Sequence, residues 1–357
     1  LLTSLDDIAW LLNIRGSDVP NNPVVIANVV ISADNCHLFV DPEKVPENVR
    51  NQLASDGVEL MDYDDIKQFL QNLTTDQIIM LDPAKTNISL YKSISPGVII
   101  IEHPNITTRQ KAIKNDIEIE NIRRCLINDG VAMVKFIKWL KESVGKEEIT
   151  EISAEEKLEE FRREQDLFVE PSFDTIAGYK DHAAMMHYKA TPESQYTLKK
   201  EGFLLVDSGG QYLNGTTDIT RTIVLGKLTD EEKRDFTLVL KGYLALDRAK
   251  FLHGSTGSNL DVLARKPIWE YGMDYKCGTG HGVGYLLNVH EGPHRISTAI
   301  NSVKLEKGMV VTIEPGVYKA GKYGIRIENV AVVDEDIETE YGGKFMKFEV
   351  LSYVPID

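Results

Sequence analysis

The sequence predicts a mixed α/β (α+β) protein in two parts: a layer of alternating strands and helices, then a duplicated β-hairpin unit covered by helices. Three observations predict it. Up to about residue 108, short apolar runs alternate with polar helical stretches, the pattern of an α/β layer with a parallel or mixed sheet. From Asp116 onward come amphipathic helical patterns. Two hairpins, LLVDSGGQYLNGTTDITRTIVL and VVTIEPGVYKAGKYGIRIENVAVV, then repeat one order: apolar run, acid, small residue or Pro and Gly, Tyr, Gly-containing turn, and a second acid inside a β-branched strand. Such a repeat is the mark of an internal duplication.

In the first part, VVIANVVIS, CHLFVD, VELMDY, QIIMLD and GVIIIE read as strands, with PENVRNQLASDG and DDIKQFLQNL as helices between them. Arg15 and Asp18 read as a turn ion pair. The opening LLTSLDDIAW lacks a Met and begins inside a strand-and-helix unit, which suggests a fragment with something upstream missing. Pro104 in EHPNIT turns the preceding residue away from helix, so the expected domains are residues 1–108 and 109–357, joined by a linker.

In the second part, Ile119, Ile122, Leu126, Met133, Ile137 and Leu140 mark one face of a helix over residues 116–144. Ser153 with Glu156, and Thr229 with Glu232, match the capping-box spacing and open two more helices. Pro267 interrupts NLDVLARKPIWEYG, where a continuous helix would be penalised by roughly 3 kcal/mol, so a kink or a fresh start is expected there.

The chemistry concentrates in the hairpins. Asp207 and Asp218 belong to the first, Glu314 and Glu328 to the second, and His281 lies between them in GTGHGVG. A carboxylate on a mostly apolar strand is costly unless paired. Arg326 shares a strand face with Glu328, yet one guanidinium cannot neutralise four carboxylates. Divalent metal can. Four carboxylates and one imidazole suit two ions bridged by shared carboxylates, about 3.5 to 4 Å apart. An oxygen-dominated set favours Mn, Co or Fe over a structural Zn.

A net charge of -15 argues against nucleic acid or an anionic membrane as a partner. Cys36, Cys125 and Cys277 are far apart without a CxxC spacing, as ordinary thiols of a reducing compartment would be. No run approaches the ~20 apolar residues of a membrane helix, and no signal-peptide pattern is seen. Asn72, Asn87, Asn105 and Asn214 begin N-x-S/T triplets, which without a secretory context read as coincidence.

VDSGGQYLNGTTDITRT, GTGHGVGYLLNVHEGP, TIEPGVY and GIRIENV together resemble the catalytic domain of Xaa-Pro aminopeptidases, metallopeptidases of the pita-bread fold. The resemblance runs from about residue 110 to the end. It implies a curved, pseudo-twofold antiparallel sheet covered by helices, preceded by a creatinase-like non-catalytic domain that LLNIRGSDVPNNPV also resembles. It implies two divalent ions, Mn²⁺ first and Co²⁺, Fe²⁺ or Zn²⁺ as alternatives. Asp207 would hold one, His281 and Glu314 the other, and Asp218 and Glu328 would bridge. His187 in MMHYKA and His290 in VHEGP would contact the scissile bond, Glu314 would shuttle a proton, and Arg326 would join the two histidines at the substrate.

The implied activity is removal of the first residue from peptides with Pro in second position, through a metal-activated water, by a cytoplasmic homodimer. Proline's tertiary amide offers no N–H, so selection must come from shape, with Tyr188 and Tyr318 as candidate walls. His294 reads as a solvated loop residue. Prolidase shares the fold and ligands, but the nine-residue interval from His281 to His290 matches the aminopeptidases better. Methionine aminopeptidase generally lacks the preceding domain. A creatinase-like amidinohydrolase or a binding module without metal is disfavoured by the presence of all five ligands.

Overall fold

The apolar runs before residue 108 do become strands, arranged as two small sheets. A computed structural model describes the whole chain, Leu1–Asp357, and it packs as two units, Leu1–Lys111 and Ala112–Asp357. In the first unit, Ala27–Ile31 pairs antiparallel with Cys36–Val40, which runs parallel to Val58–Met61. Ile78–Leu81 pairs parallel with Ile99–Glu102. Parallel neighbours need a crossover, and helices Glu47–Ser55 and Ile88–Ser93 lie in those connections. The carboxylate of Asp18 accepts from the Ile26 amide at 2.8 Å and pairs with Lys44 at 2.9 Å. Lys44 is distant from Asp18 in sequence, so spacing along the chain does not reveal the pair; Arg15 donates to the Ala9 and Ile14 carbonyls. The stretch after Pro104, read as a linker, forms helix Ile106–Ala112. Asn105 is buried and donates to Asp7 at 2.8 Å, so its triplet serves packing.

The second unit carries the duplication into three dimensions. In its first half, Phe203–Ser208 lies between Ile176–Tyr179 and Ile219–Val224, antiparallel to both. In its second half, Val310–Ile313 lies between Gly280–Gly282 and Asn329–Thr339, again antiparallel to both. Each half is covered by a helix pair. Helices Asp116–Ser143 and Glu151–Arg163 supply Met133, Phe136, Leu140 and Leu158 to a core with Leu204, Val206, Ile219 and Ile223. Helices Asp230–Asp247 and Gly257–Trp269 supply Val239, Leu246, Leu260 and Ile268 to a core with Val311, Ile313, Ala331 and Val333. Burying one apolar helical stripe against one sheet face is the ordinary solution for layered folds.

Two helix signals resolve differently from their sequence reading. The second helix is capped one turn earlier than expected, by Thr150 with Ser153 at N3. Glu156 is exposed there, and Ser153 instead closes the box by accepting from the Thr150 amide at 2.8 Å. The helix Gly257–Trp269 runs through Pro267 and ends two residues later. So near the terminus, the missing N–H costs only one late hydrogen bond.

Glu155, one turn after Glu151, is partly buried and its Oε1 has no hydrogen-bond partner. Burial, with the like charge of Glu151 adding, pushes its pKa up to about 7. Because the folded value lies above the unfolded one, the fold holds this proton while the unfolded chain has released it. Stability therefore falls as pH rises from about 4.5 to about 7. At about 1.4 kcal/mol per pKa unit, discounted for the exposed part of the side chain, the ionised form costs about 1–2 kcal/mol. Glu155→Gln should therefore raise Tm at pH 8 and leave it nearly unchanged at pH 4.5. Equal effects at both pH values in thermal melts would contradict this assignment.

Candidate metal centre

The two halves meet along Ile219–Val224, and there the acids converge. The Glu328 amide donates to the Thr220 carbonyl at 3.2 Å, and Thr222 Oγ1 both accepts from the Arg326 amide and donates to its carbonyl. Asp207 lies on Phe203–Ser208 opposite Thr220. Asp218 and Glu328 do not sit inside strands: each immediately precedes one, Ile219–Val224 and Asn329–Thr339. That position lets a carboxylate turn off the strand end toward its counterpart in the other half.

His281 occupies the middle of Gly280–Gly282. Both flanking glycines are required by close approach: a Cβ on Gly280 would lie 2.0 Å from the Thr312 carbonyl oxygen, and one on Gly282 would lie 2.2 Å from that of Glu291. Nδ1 of His281 is 2.8 Å from the Gly282 carbonyl, an acceptor, so the proton sits on Nδ1 and the Nε2 lone pair is left free. Nε2 lies 3.3 Å from Asp218 Oδ2 and 3.5 Å from Glu314 Oε1. One donor atom each from Asp218, His281 and Glu328 lie within 4.8 Å of one another.

Two threonines that sequence reading missed orient the ligands. Thr220 donates to Glu328 Oε2 at 2.6 Å and accepts from Arg326 Nε at 3.1 Å. Thr312 donates to Glu314 Oε1 at 3.2 Å and accepts from the His281 amide at 3.1 Å. Each lies two residues from an acid, Thr220 after Asp218 and Thr312 before Glu314. That period-two spacing on a strand was the available signal.

Burial, then Asp207 and Glu314, raises the Asp218 carboxyl well above the usual carboxylate range. Glu328 is raised for the same reason, burial first and then Asp218, Glu314 and Asp207. Burial raises Glu314 too, against the opposing pull of His281 and Arg326. Arg326 is the cation inside this group, donating to Asp207 Oδ2 and, at 2.8 Å, to the Tyr318 hydroxyl. Read from sequence as a substrate contact, Arg326 is only 3% exposed and spends its donors on Asp207, Tyr318 and Thr220. Asp207 Oδ1, meanwhile, is buried without a partner. Four carboxylates against one guanidinium, an orphaned carboxylate oxygen and an imidazole nitrogen free to ligate fit divalent cations of the oxygen-preferring kind.

His290 and His187 lie beside this group. The His290 ring stands 4.2 Å from that of His281, edge to face. It is exposed at the rim, but partial loss of hydration, then His281 and His187, push its pKa down to about 4, leaving a neutral ring at pH 7. His187 is exposed as well. His294, read as a solvated loop residue, is instead 1% exposed on strand Glu291–Ile296, its Nε2 2.8 Å from the Val310 carbonyl. Tyr188 is no pocket wall: it is buried, with its hydroxyl on Glu151 at 2.9 Å. Tyr318 remains partly open beside Arg326.

The profile of metallopeptidase family M24 matches residues 120–335, over half of the chain. The chain belongs to metallopeptidase family M24. The Creatinase/Prolidase N-terminal domain matches residues 1–118. Two curated relatives align over all of the chain: "Aminopeptidase P2" of Arabidopsis thaliana, 40% identical over 391 residues, and "Probable Xaa-Pro aminopeptidase P" of Laccaria bicolor, 43% identical over 367. The chain spans 55% and 56% of their lengths. The crystal structure of X-prolyl aminopeptidase from Caenorhabditis elegans, described as a cytosolic enzyme with a di-nuclear active site, superposes with a TM-score of 0.93 at 37% identity. That match covers 99% of this chain and 58% of the other. The second unit thus has the pita-bread fold that its motifs resemble, and the first is its creatinase-type companion. No helix is long and apolar enough to cross a membrane.

Proposed function

We propose that the M24 unit, residues 109–357, is the catalytic domain of a metal-dependent Xaa-Pro aminopeptidase, and that residues 1–108 form its non-catalytic companion domain. The convergence of Asp218, His281 and Glu328 with Asp207 and Glu314 carries this reading. The names of the relatives and the di-nuclear site of the C. elegans enzyme support it.

Asp207 would hold one ion, His281 and Glu314 a second, with Asp218 and Glu328 shared between them. Such a pair, when bound, supplies a water nucleophile at neutral pH and polarises a carbonyl. Everything else falls to the protein. Gly282 and Thr312 fix the ring and backbone of His281. Glu314, its Oε1 held by Thr312, takes the proton of the attacking water and returns it to the leaving nitrogen. His290, neutral at pH 7, and His187 present ring donors toward the scissile carbonyl as charge develops on its oxygen. Arg326 holds Asp207 in place and donates to the Tyr318 hydroxyl.

Manganese as the native metal, a homodimer, a cytoplasmic setting and peptides with Pro in second position complete the reading. The charge of -15 suits neither nucleic acid nor anionic membrane as a partner, and all three cysteines are free.

The test is hydrolysis of Arg-Pro-Pro and of Ala-Pro, each with added Mn²⁺ and with chelator. Metal-dependent cleavage of the tripeptide, with little of the dipeptide, is the expected result. The opposite preference would make the protein a prolidase. No cleavage of either by metal-loaded protein would overturn the peptidase reading for this chain.

A further inference from the structure

We propose that Glu151 is a positioning residue of the site: its buried carboxylate gathers both ends and the middle of the segment that carries His187. The proposal rests on the role given above to His187.

Between strand Ile176–Tyr179 and the backbone pairing at Thr197, the chain makes a long excursion over residues 180–196. The excursion holds one short helical turn, Lys180–Ala184, and no strand. A segment with so little backbone pairing needs another source of rigidity if a catalytic side chain is to stand on it. Glu151, fully buried at the first position of its helix, supplies one. At the entry, the Tyr179 amide donates to Oε1 at 2.8 Å. At the exit, the Tyr196 amide donates to Oε2 at 2.9 Å. In the middle, adjacent to His187, the Tyr188 hydroxyl donates to Oε2 at 2.9 Å.

His182 completes the clamp. Its Nδ1 lies 3.0 Å from both carboxylate oxygens, and its ring is stacked between Tyr188, at 4.4 Å, and Tyr196, at 3.7 Å. The same segment leans on the other half of the unit. A Cβ on Gly324 would lie 1.7 Å from the Ala183 carbonyl oxygen, so the excursion touches the very strand that ends in Arg326. The segment that carries His187 is therefore braced by the ligand hairpin at Ala183 and by Glu151 at Tyr179, Tyr188 and Tyr196.

A carboxylate, with an acceptor at both oxygens, suits the centre of this arrangement. Two amides and a phenol donate to the two oxygens, and His182 Nδ1 lies beside both, close to the full acceptor capacity of a carboxylate. A glutamine of the same shape would present an NH₂ group to N–H donors, leaving at least one buried donor unpaired. None of the five proposed metal ligands contacts Glu151 in this network, so metal binding should be independent of it.

The experiment is a double-mutant cycle on the metal-loaded protein, using Glu151→Gln, His187→Ala and the pair, with hydrogen exchange on each. A displacement of about 1 Å at a catalytic group can cost ~10²-fold, so Glu151→Gln should lower kcat by roughly that factor with metal content retained. Combined with His187→Ala it should cost less than about threefold more, because Glu151 acts by placing the segment that carries His187. Amides over residues 179–196 should exchange faster while those of Phe203–Ser208 stay protected.

If Glu151→Gln fails to fold, Tyr188→Phe removes one bond of the clamp and should show the same non-additivity at smaller size. Fully multiplicative losses, or unchanged exchange over 179–196, would overturn the proposal. A His187→Ala variant as active as the parent, with 179–196 still loosened by Glu151→Gln, would overturn the role of His187 and leave the clamp standing.

Discussion

Asp218→Asn is expected to leave the protein with little bound metal and to lower turnover by more than about 10²-fold. Loss of an outer-shell partner alone costs roughly 10–100-fold in metal affinity, and Asp218 touches the ligand set directly, 3.3 Å from His281 Nε2 and inside the three-residue donor cluster. A second signature separates ligand loss from general damage. In the metal-free chain, Asp218, Glu314 and Glu328 all have raised pKa values, from burial and from one another. Their folded values lie above the unfolded ones, so the metal-free fold binds these protons more tightly than the unfolded chain does. Stability without metal therefore falls as pH climbs above the ordinary carboxylate range. Metal affinity should rise over the same span, because ions displace those protons. Asn at 218 removes one of the mutually repelling charges, so the chelator-treated variant should melt higher than chelator-treated parent, while its gain in Tm on adding Mn²⁺ shrinks. Elemental analysis and paired melts with and without chelator would show both. Parental metal content and activity in the variant would refute the ligand assignment.

His290→Ala is the complementary case. Turnover should fall by about 10²–10³-fold, the usual cost of removing one donor aimed at developing oxyanion charge, with metal content retained. Its ring packs edge to face on His281 and stands at the rim of the ligand group. The pKa of about 4 makes it a neutral donor throughout the neutral range, so activity should not fall between pH 8 and pH 6 through protonation of this residue. Loss of metal from His290→Ala, measured alongside kcat, would move it from the substrate side of the site to the ligand set.

Local period and residue chemistry are legible along the chain before any contact across it is known. Alternating apolar runs gave the strands of the first unit, 3.6-residue periodicity the helices, and the twofold order of acid, glycine and acid the duplicated hairpins. Residue chemistry also placed Asp207, Asp218, His281, Glu314 and Glu328 as one set, because buried acids without bases need cations wherever they meet. Which groups face one another across the halves depends on the packing. Arg326 reaches Asp207 from 119 residues away and Thr220 reaches Glu328 from 108, contacts set by the register of strands from separate hairpins. The same holds for His294, buried through a hydrogen bond to a strand 16 residues on, and for Tyr188, drawn inward by Glu151. Side-chain direction in a loop follows from whichever buried acceptor lies within reach, and that acceptor's position is a property of the folded packing.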